Sequence, residues 1–350
     1  MAGAEPLVTV GIAVYGGERY IAEAITSVLA ESYSNWELLL VNDRSPDDSV
    51  RVIRTFTDSR IRLLENERNL GLVGVRNRIL DEARGDYIAW LDQDDLTTSG
   101  RLRTEVDFLQ ARPDVAACGS WTSMLTQGDD GSWTTGVLRL PSTAQDIRAA
   151  MAFLNPLACN TVTMRRSAFA DRGLRFREEF GNSLDYDLWS RASDVFPLHN
   201  IEVPLATYRV HRGQTSQGAA LERMNQHALR IQAELISRSL GIEMTGEETR
   251  LHRLATIEPE LITSEDLGPL AQWFARLRAA GLLSPSFDST SWDAAITRQW
   301  ITCCRGALRG SGAASLPMAL SGTRTIGVGA GTVLSAIRDG AARRRARSSA

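Results

Sequence analysis

Tyr87-Ile-Ala-Trp-Leu91-Asp92-Gln93-Asp94-Asp95 is the stretch on which the fold turns. Its first five residues are apolar or aromatic and fit one buried strand, and the turn after them collects three carboxylates. The same grammar runs upstream. Leu7 to Tyr15 reads as a buried strand, and Ile21, Ile25, Val28 and Leu29 follow at helical spacing within 18–31. Trp36 to Val41 is a second strand, with Val50, Ile53 and Phe56 marking a helix after it. Ile61 to Leu64 and a helix over 71–83 come next, and a helix over 101–110 follows the acidic turn. Strands separated by single helices predict right-handed crossovers and a largely parallel sheet covered on both faces.

From Val115 to Val210 the signals shorten. Strands are expected near Val115, Val137 and Thr161, a helix from Asp185 to Ser193, and a strand from Leu205 to Val210. Beyond Ala219 the pattern is helical without strands, as in 221–240 and 269–280, and Gly and Ser punctuate 306–331. The expected division is an α/β domain over 1–218, a helical subdomain over 219–305, and a Gly/Arg-rich tail over 306–350. Trp273, Trp292 and Trp300 are read as the core of the subdomain, which packs on the first domain or forms a homo-oligomer.

Composition narrows the chemistry. The 350 residues are 43% hydrophobic and 23% charged, as in a soluble globular protein. There is no lysine, so all 39 basic residues are Arg, which excludes a Walker phosphate loop, a pyridoxal Schiff base and the kinase fold. A net charge of −3 gives no reason to expect nucleic acid, although residues 301–350 carry +7. The run Arg343–Arg347 therefore reads either as a solvated terminus or as a peripheral contact with an anionic membrane surface. Cys118, Cys159, Cys303 and Cys304 fit neither a disulfide framework nor a C-x-x-C metal site and imply a reducing compartment. The N-terminus lacks a basic flank and runs straight into a helix pattern, so it is not read as a signal peptide. No run reaches the length of a membrane span, and the expected location is cytoplasmic, with the inner face of the membrane as the tail's alternative.

In an open α/β sheet, ligands bind beyond the carboxyl ends of the strands. Asn42-Asp43-Arg44-Ser45 follows one strand and Asp92-Gln-Asp94-Asp95 another, so both turns belong on one edge; if the strands are neighbours, one small ligand spans them. Asp92 and Asp94 are two apart in extended chain and point the same way. Paired carboxylates with no Cys or His beside them suit Mg²⁺ or Mn²⁺. The competing reading is a cluster of acids favoured by a helix dipole.

Six segments in order resemble family 2 of the inverting glycosyltransferases, over most of residues 7–216. They are Val10–Tyr15, Asn42–Ser45, Asn69-Leu-Gly71 with Val75-Arg76-Asn77, Asp92–Asp95, Asp185-Tyr-Asp-Leu-Trp189, and Tyr208-Arg-Val-His211 with Thr215-Ser216. The resemblance implies a GT-A fold: Rossmann-like, with a mostly parallel mixed sheet between helices, and here a helical C-terminal region. The donor half would be about 1–120 and the acceptor half 121–218. By the same resemblance Ala13, Tyr15 and Asp43 hold the nucleobase, with Tyr15 stacking and Asp43 accepting an imide N–H, which favours UDP or dTDP. Asn69 and Arg76 reach the base or diphosphate, Asp92 the ribose or sugar, and Asp94 with His211 the metal, Mn²⁺ or Mg²⁺. Asp95 supports this shell or caps the next helix. Asp185 is the general base, with Asp187 its rival, and a cap is its bland alternative.

The departures are Asn42, Arg44, Leu184 and Cys159, the last where the family often has His. They keep a catalytically degenerate nucleotide-sugar-binding protein in view, and a sugar-nucleotide pyrophosphorylase is a more distant rival. What the resemblance implies is transfer of a sugar, as in polysaccharide or cell-wall biosynthesis. The acceptor stays open between glycan, lipid-linked and small-molecule hydroxyls.

Overall fold

The first part of the chain runs β1 (Val8–Val14), α1 (Ile21–Leu29), β2 (Trp36–Asn42), α2 (Ser49–Ile53), β3 (Ile61–Glu65), α3 (Gly71–Glu82), β4 (Tyr87–Trp90), β5 (Leu96–Thr97) and α4 (Arg101–Ala111). It continues through β6 (Ala117–Gln127), β7 (Trp133–Leu138), α5 (Ala144–Ala150), β8 (Thr163–Arg165), α6 (Arg166–Asp171), α7 (Leu184–Ala192) and β9 (Leu198–Val210). The computed structural model describes residues 5–128, 130–211 and 218–338. Among them the chain divides into two compact units. One comprises residues up to Ile147 with Asn155–His227, and the other Arg148–Leu154 with residues from Ala228 on.

In the first unit the sheet order is β3-β2-β1-β4-β8-β6-β9-β5, with β7 paired to the side of β6. The strands β3, β2, β1 and β4 are parallel, as their helical crossovers require. β8 then runs antiparallel to β4 and β6, and β9 is parallel to β6, so the sheet is mixed. Alternate residues of β1, Val8, Val10, Ile12 and Val14, enter one core with Ile21, Ile25 and Val28 of α1 and with Leu102, Val106 and Leu109 of α4. The strand expected near Thr161 is β8 (Thr163–Arg165), which follows a single 3-10 turn at Cys159–Thr161. β9 begins at Leu198, well before the expected Leu205. Its first half, with Pro204 and an irregular register around Ser120 and Trp121, lacks the alternation that marks a strand.

The second unit contains the end of α8 (Ala219–Leu240), α9 (Gly246–Thr256), α10 (Leu267–Leu283), α11 (Ser289–Ser311) and α12 (Leu316–Ile326), with a last helical run over 330–338. Trp273, Trp292 and Trp300 are buried in it. Phe153, from the short segment 148–154, lies among His252, Phe274 and Trp292 at ring distances of 5.9, 6.3 and 5.7 Å. A Gly-punctuated tail was expected from 306; instead α11 continues through Gly306 and Gly310, and α12 contains Gly322. Gly306 and Gly322 are close-packing points and not breakers: a Cβ on Gly322 would lie 2.4 Å from the Trp300 ring. The Arg343–Arg347 run and Thr215-Ser216 lie outside the described residues. Among the described residues no helix is long and apolar enough to cross a membrane.

Candidate functional site

Register places the ends of three strands on one edge. Val14 pairs with Asn42 and Gly11 with Trp90, so Tyr15, Asp43 and Asp92 all leave the sheet at its carboxyl side. β2 and β4 are not neighbours; each flanks β1, and the loop at Tyr15 therefore stands between the two acidic turns. Ala13, facing Val41 in the ladder, sits at the base of that loop.

The turn 92–95 sends its four side chains four ways. Asp92 Oδ1 accepts from Arg76 Nη2 at 2.7 Å. The Gln93 amide pairs with the backbone of Tyr15, and Asp94 Oδ2 lies 3.1 Å from His211 Nε2. Asp95 is fully buried, accepting from the backbone N–H of Arg209 at 2.9 Å and from Asn160 Nδ2 at 2.7 Å. It thus does not cap α4; it ties the acidic turn to the end of β9, two residues before His211. Burial pushes its carboxyl well up, with Asp92 and Asp94 adding to the effect. His211 stacks obliquely on Tyr20 at 4.7 Å, and Arg209 lies over the same ring and bonds Glu23 at 2.9 Å, so α1 holds the β9 end in place.

Asp43 is 3% exposed and organises the chain around it. Its Oδ1 accepts from Asn66 Nδ2 at 2.6 Å and from Leu70 N at 2.8 Å, while Oδ2 accepts from Gly71 N at 2.8 Å, at the start of α3. One acceptor position on Oδ2 is left by these bonds. Asn69 is exposed, and its amide spans Gly71 N and the Asp43 carbonyl. Arg44, which follows Asp43, has φ +59°, the left-handed conformation that favours glycine.

Arg76 is buried on α3 and bridges Asp92 to the Cys159 thiol. Burial opposes its charge, but the Asp92 and Asp185 carboxylates, with the hydrogen bond to Cys159 Sγ, hold the guanidinium protonated. Burial pushes the Cys159 thiol up to about 12, so it stays a neutral thiol and no nucleophile. Asp92 is raised by burial, with Asp94 and Asp185 adding and Arg76 opposing. Asp185 is thus within electrostatic reach of Arg76, Asp92 and Cys159. It lies in the first turn of α7, where Ser183 is the cap residue, and its Oδ2 accepts from Asn155 Nδ2 at 2.9 Å. Its rival Asp187 is 1% exposed and locked by Arg177 and Arg191. Leu184, beside it, is buried.

The structure therefore brings Tyr15, Arg76, Asp92, Asp94, Asp185 and His211 to one edge, with Asp43 and Asn69 shaping its rim. Residues not singled out from sequence are Gln93, Asn66, Asn155 and Asn160. Being an amide between two acids does not by itself mark Gln93. His199, His227 and His252 lie away from these contacts. Among the described residues no group of three metal-binding side chains occurs; Asp94 and His211 make one close pair.

The model of glycosyl transferase family 2 matches residues 9–173. An uncharacterized glycosyltransferase of Haemophilus influenzae is 31% identical over 249 residues, covering 68% of this chain and 77% of that protein. Two solved structures share the fold. Staphylococcus aureus TarS 1-349 in complex with UDP-GlcNAc has TM-score 0.53 at 16% identity, covering 91% of this chain and 90% of that one. The Pyrobaculum calidifontis mannosyltransferase PcManGT with GDP-Man and Mn²⁺ has TM-score 0.54 at 19% identity, covering 91% and 86%. An α/β unit with a mixed sheet, a helical C-terminal region and these matches lead to one conclusion: the chain belongs to glycosyl transferase family 2 and is a glycosyltransferase of the GT-A fold.

Proposed function

We propose that the chain moves a sugar from a nucleoside diphosphate donor, UDP- or dTDP-linked, to an acceptor hydroxyl with inversion at the anomeric carbon. The observation that carries this reading is the turn 92–95, which puts Asp92 and Asp94 beside Arg76 and His211, within electrostatic reach of Asp185. The UDP-GlcNAc bound by TarS, and the GDP-Man and Mn²⁺ bound by PcManGT, support a donor of this class.

In this reading Tyr15 stacks on the base, Ala13 leaves room for it, and Asp43 uses its remaining lone pair on an imide N–H. Asn69 and Arg76 approach the base or diphosphate, and Asp92 the ribose or sugar. Asp185 takes the acceptor proton as that oxygen bonds to C1 and the C1–phosphate bond breaks. Asn155 orients the Asp185 carboxylate for this. The carboxylate of Asp94 and the imidazole of His211 suit Mn²⁺ better than Mg²⁺, and the pair leaves coordination positions for phosphate oxygens. Such an ion would neutralise the departing diphosphate. A cytoplasmic location and contact of the Arg-rich end with a membrane surface belong to the same proposal. So do a glycan, lipid-linked or small-molecule acceptor and association through the helical region.

The test is thermal stability with UDP, dTDP and GDP, each with and without Mn²⁺. A ligand at a hundredfold its Kd adds about 2.7 kcal/mol. A metal-dependent rise with UDP or dTDP is expected. A rise with GDP alone would reverse the base assignment, and no rise with any of the three would sink the donor site.

A further inference from the structure

Four consecutive backbone N–H groups in the loop after β1 are taken by side chains. Tyr15 N donates to Gln93 Oε1 at 3.0 Å, Gly16 N to Ser45 Oγ at 3.3 Å, Gly17 N to Ser49 Oγ at 2.9 Å and Glu18 N to Asp47 Oδ2 at 3.0 Å. Three of these partners come from the segment after β2. The fourth, Gln93, comes from the acidic turn, and it makes a second bond: its Nε2 donates to the Tyr15 carbonyl at 2.9 Å. The amide thus reproduces the reciprocal pairing of two peptide groups in a sheet. It does so one residue past the end of β1 and beyond the last rung of its ladder with β4, Gly11 to Trp90. A primary amide supplies donor and acceptor together at this reach; Glu would supply acceptors only and leave the Tyr15 carbonyl facing a carboxylate. Gly17 makes room for it, since a Cβ there would lie 2.4 Å from Gln93 Oε1.

We infer that Gln93 is a positioning residue that fixes the Tyr15 loop against the metal-side turn and so sets affinity for the nucleoside part of the donor. The inference rests on the proposed donor reading. Gln93 touches neither the reacting carbon nor the leaving oxygen, and its own chemistry is not consumed. Its loss therefore raises the Kd of the nucleoside diphosphate and the donor KM and leaves kcat nearly as it was. A residue that merely held the fold would lower the amount of active protein and spare KM.

The experiment measures Kd for UDP or dTDP, whichever the wild type binds, and donor KM and kcat for Gln93→Ala, Gln93→Glu, Gly17→Ala and the double variant Gly17→Ala/Gln93→Ala. Loss of two neutral hydrogen bonds predicts Kd and KM about tenfold higher in Gln93→Ala, with kcat within about threefold. Gln93→Glu fails to restore binding. Gly17→Ala folds, because its Cβ meets the movable end of a flexible side chain, and shows the same rise. The double variant stays near tenfold and does not reach the hundredfold of independent sites. An unchanged Kd in Gln93→Ala, a full rescue by Glu, or multiplying effects in the double variant would overturn the inference while the donor site stood. If the wild type itself binds neither UDP nor dTDP, the donor reading fails, and this inference with it. Should Gln93→Ala not fold, Gly17→Ala carries the same comparison.

Discussion

Two polar clusters sit in apolar surroundings, one in each unit, and they are built to opposite ends. In the α/β unit the turn 92–95 gathers three carboxylates; Asp95 is buried, but Asp92, Asp94 and the nearby His211 keep part of their side chains accessible. In the helical unit His252 is fully buried and closed. The Trp273 indole, which can only donate, meets its Nδ1 at 3.3 Å, and the Ala152 carbonyl, which can only accept, meets its Nε2 at 3.0 Å. Those partners fix the neutral tautomer with its proton on Nε2 and leave no capacity for a ligand. The difference teaches how to tell a site from a support: a support satisfies every group, and a site leaves some charge and some acceptors unanswered.

The strongest way to break this comparison is Asp185→Asn. If Asp185 is the base, kcat falls by about 10³ while nucleotide binding persists. Unchanged kcat in steady-state assays would take the base role away from Asp185.

The helical cluster is tested by acid. Burial drives the His252 pKa down to about 4, below the ordinary 6.5, so between those values the unfolded chain binds a proton that the folded one refuses. Its contribution is intact above pH 6.5 and is lost as pH falls toward 4, by about 3 kcal/mol at the end. Urea unfolding at a series of pH values, with His252→Gln as the reference, should show that slope only in the wild type. Equal slopes would mean that the imidazole is not closed off.

A smaller effect is expected from Gly322→Ala. The new methyl would lie 2.4 Å from the Trp300 ring and 3.1 Å from the Ala271 side chain, so helix packing must yield. A loss of about 1–3 kcal/mol is expected by calorimetry. A neutral result would show that α12 tolerates looser seating than its glycine suggests.

Legibility follows the same divide. Apart from β5, strands and helices up to Ala111 lie within a few residues of their expected bounds, because each is a short, locally periodic segment punctuated by polar turns. The acidic turn is marked by residue type, and Asp185 by the family resemblance alone. Gln93 and Asn155 are not marked, because an amide's role depends on which backbone or carboxylate lies across from it, and both partners are far away in sequence. The helical α12 was masked by glycines that read as punctuation when judged without their neighbours.

By itself, then, the amino-acid order determined the alternation that makes a parallel sheet, the edge where acids gather, and the absence of lysine chemistry. Only the tertiary structure decided that β1 stands between the two acidic turns, that Asp187 is locked by arginines, and that segment 148–154 serves the helical unit. The physical reason is range. Periodicity and charge are written along the chain, whereas hydrogen-bond partners and close packing are set by residues that meet only when it folds.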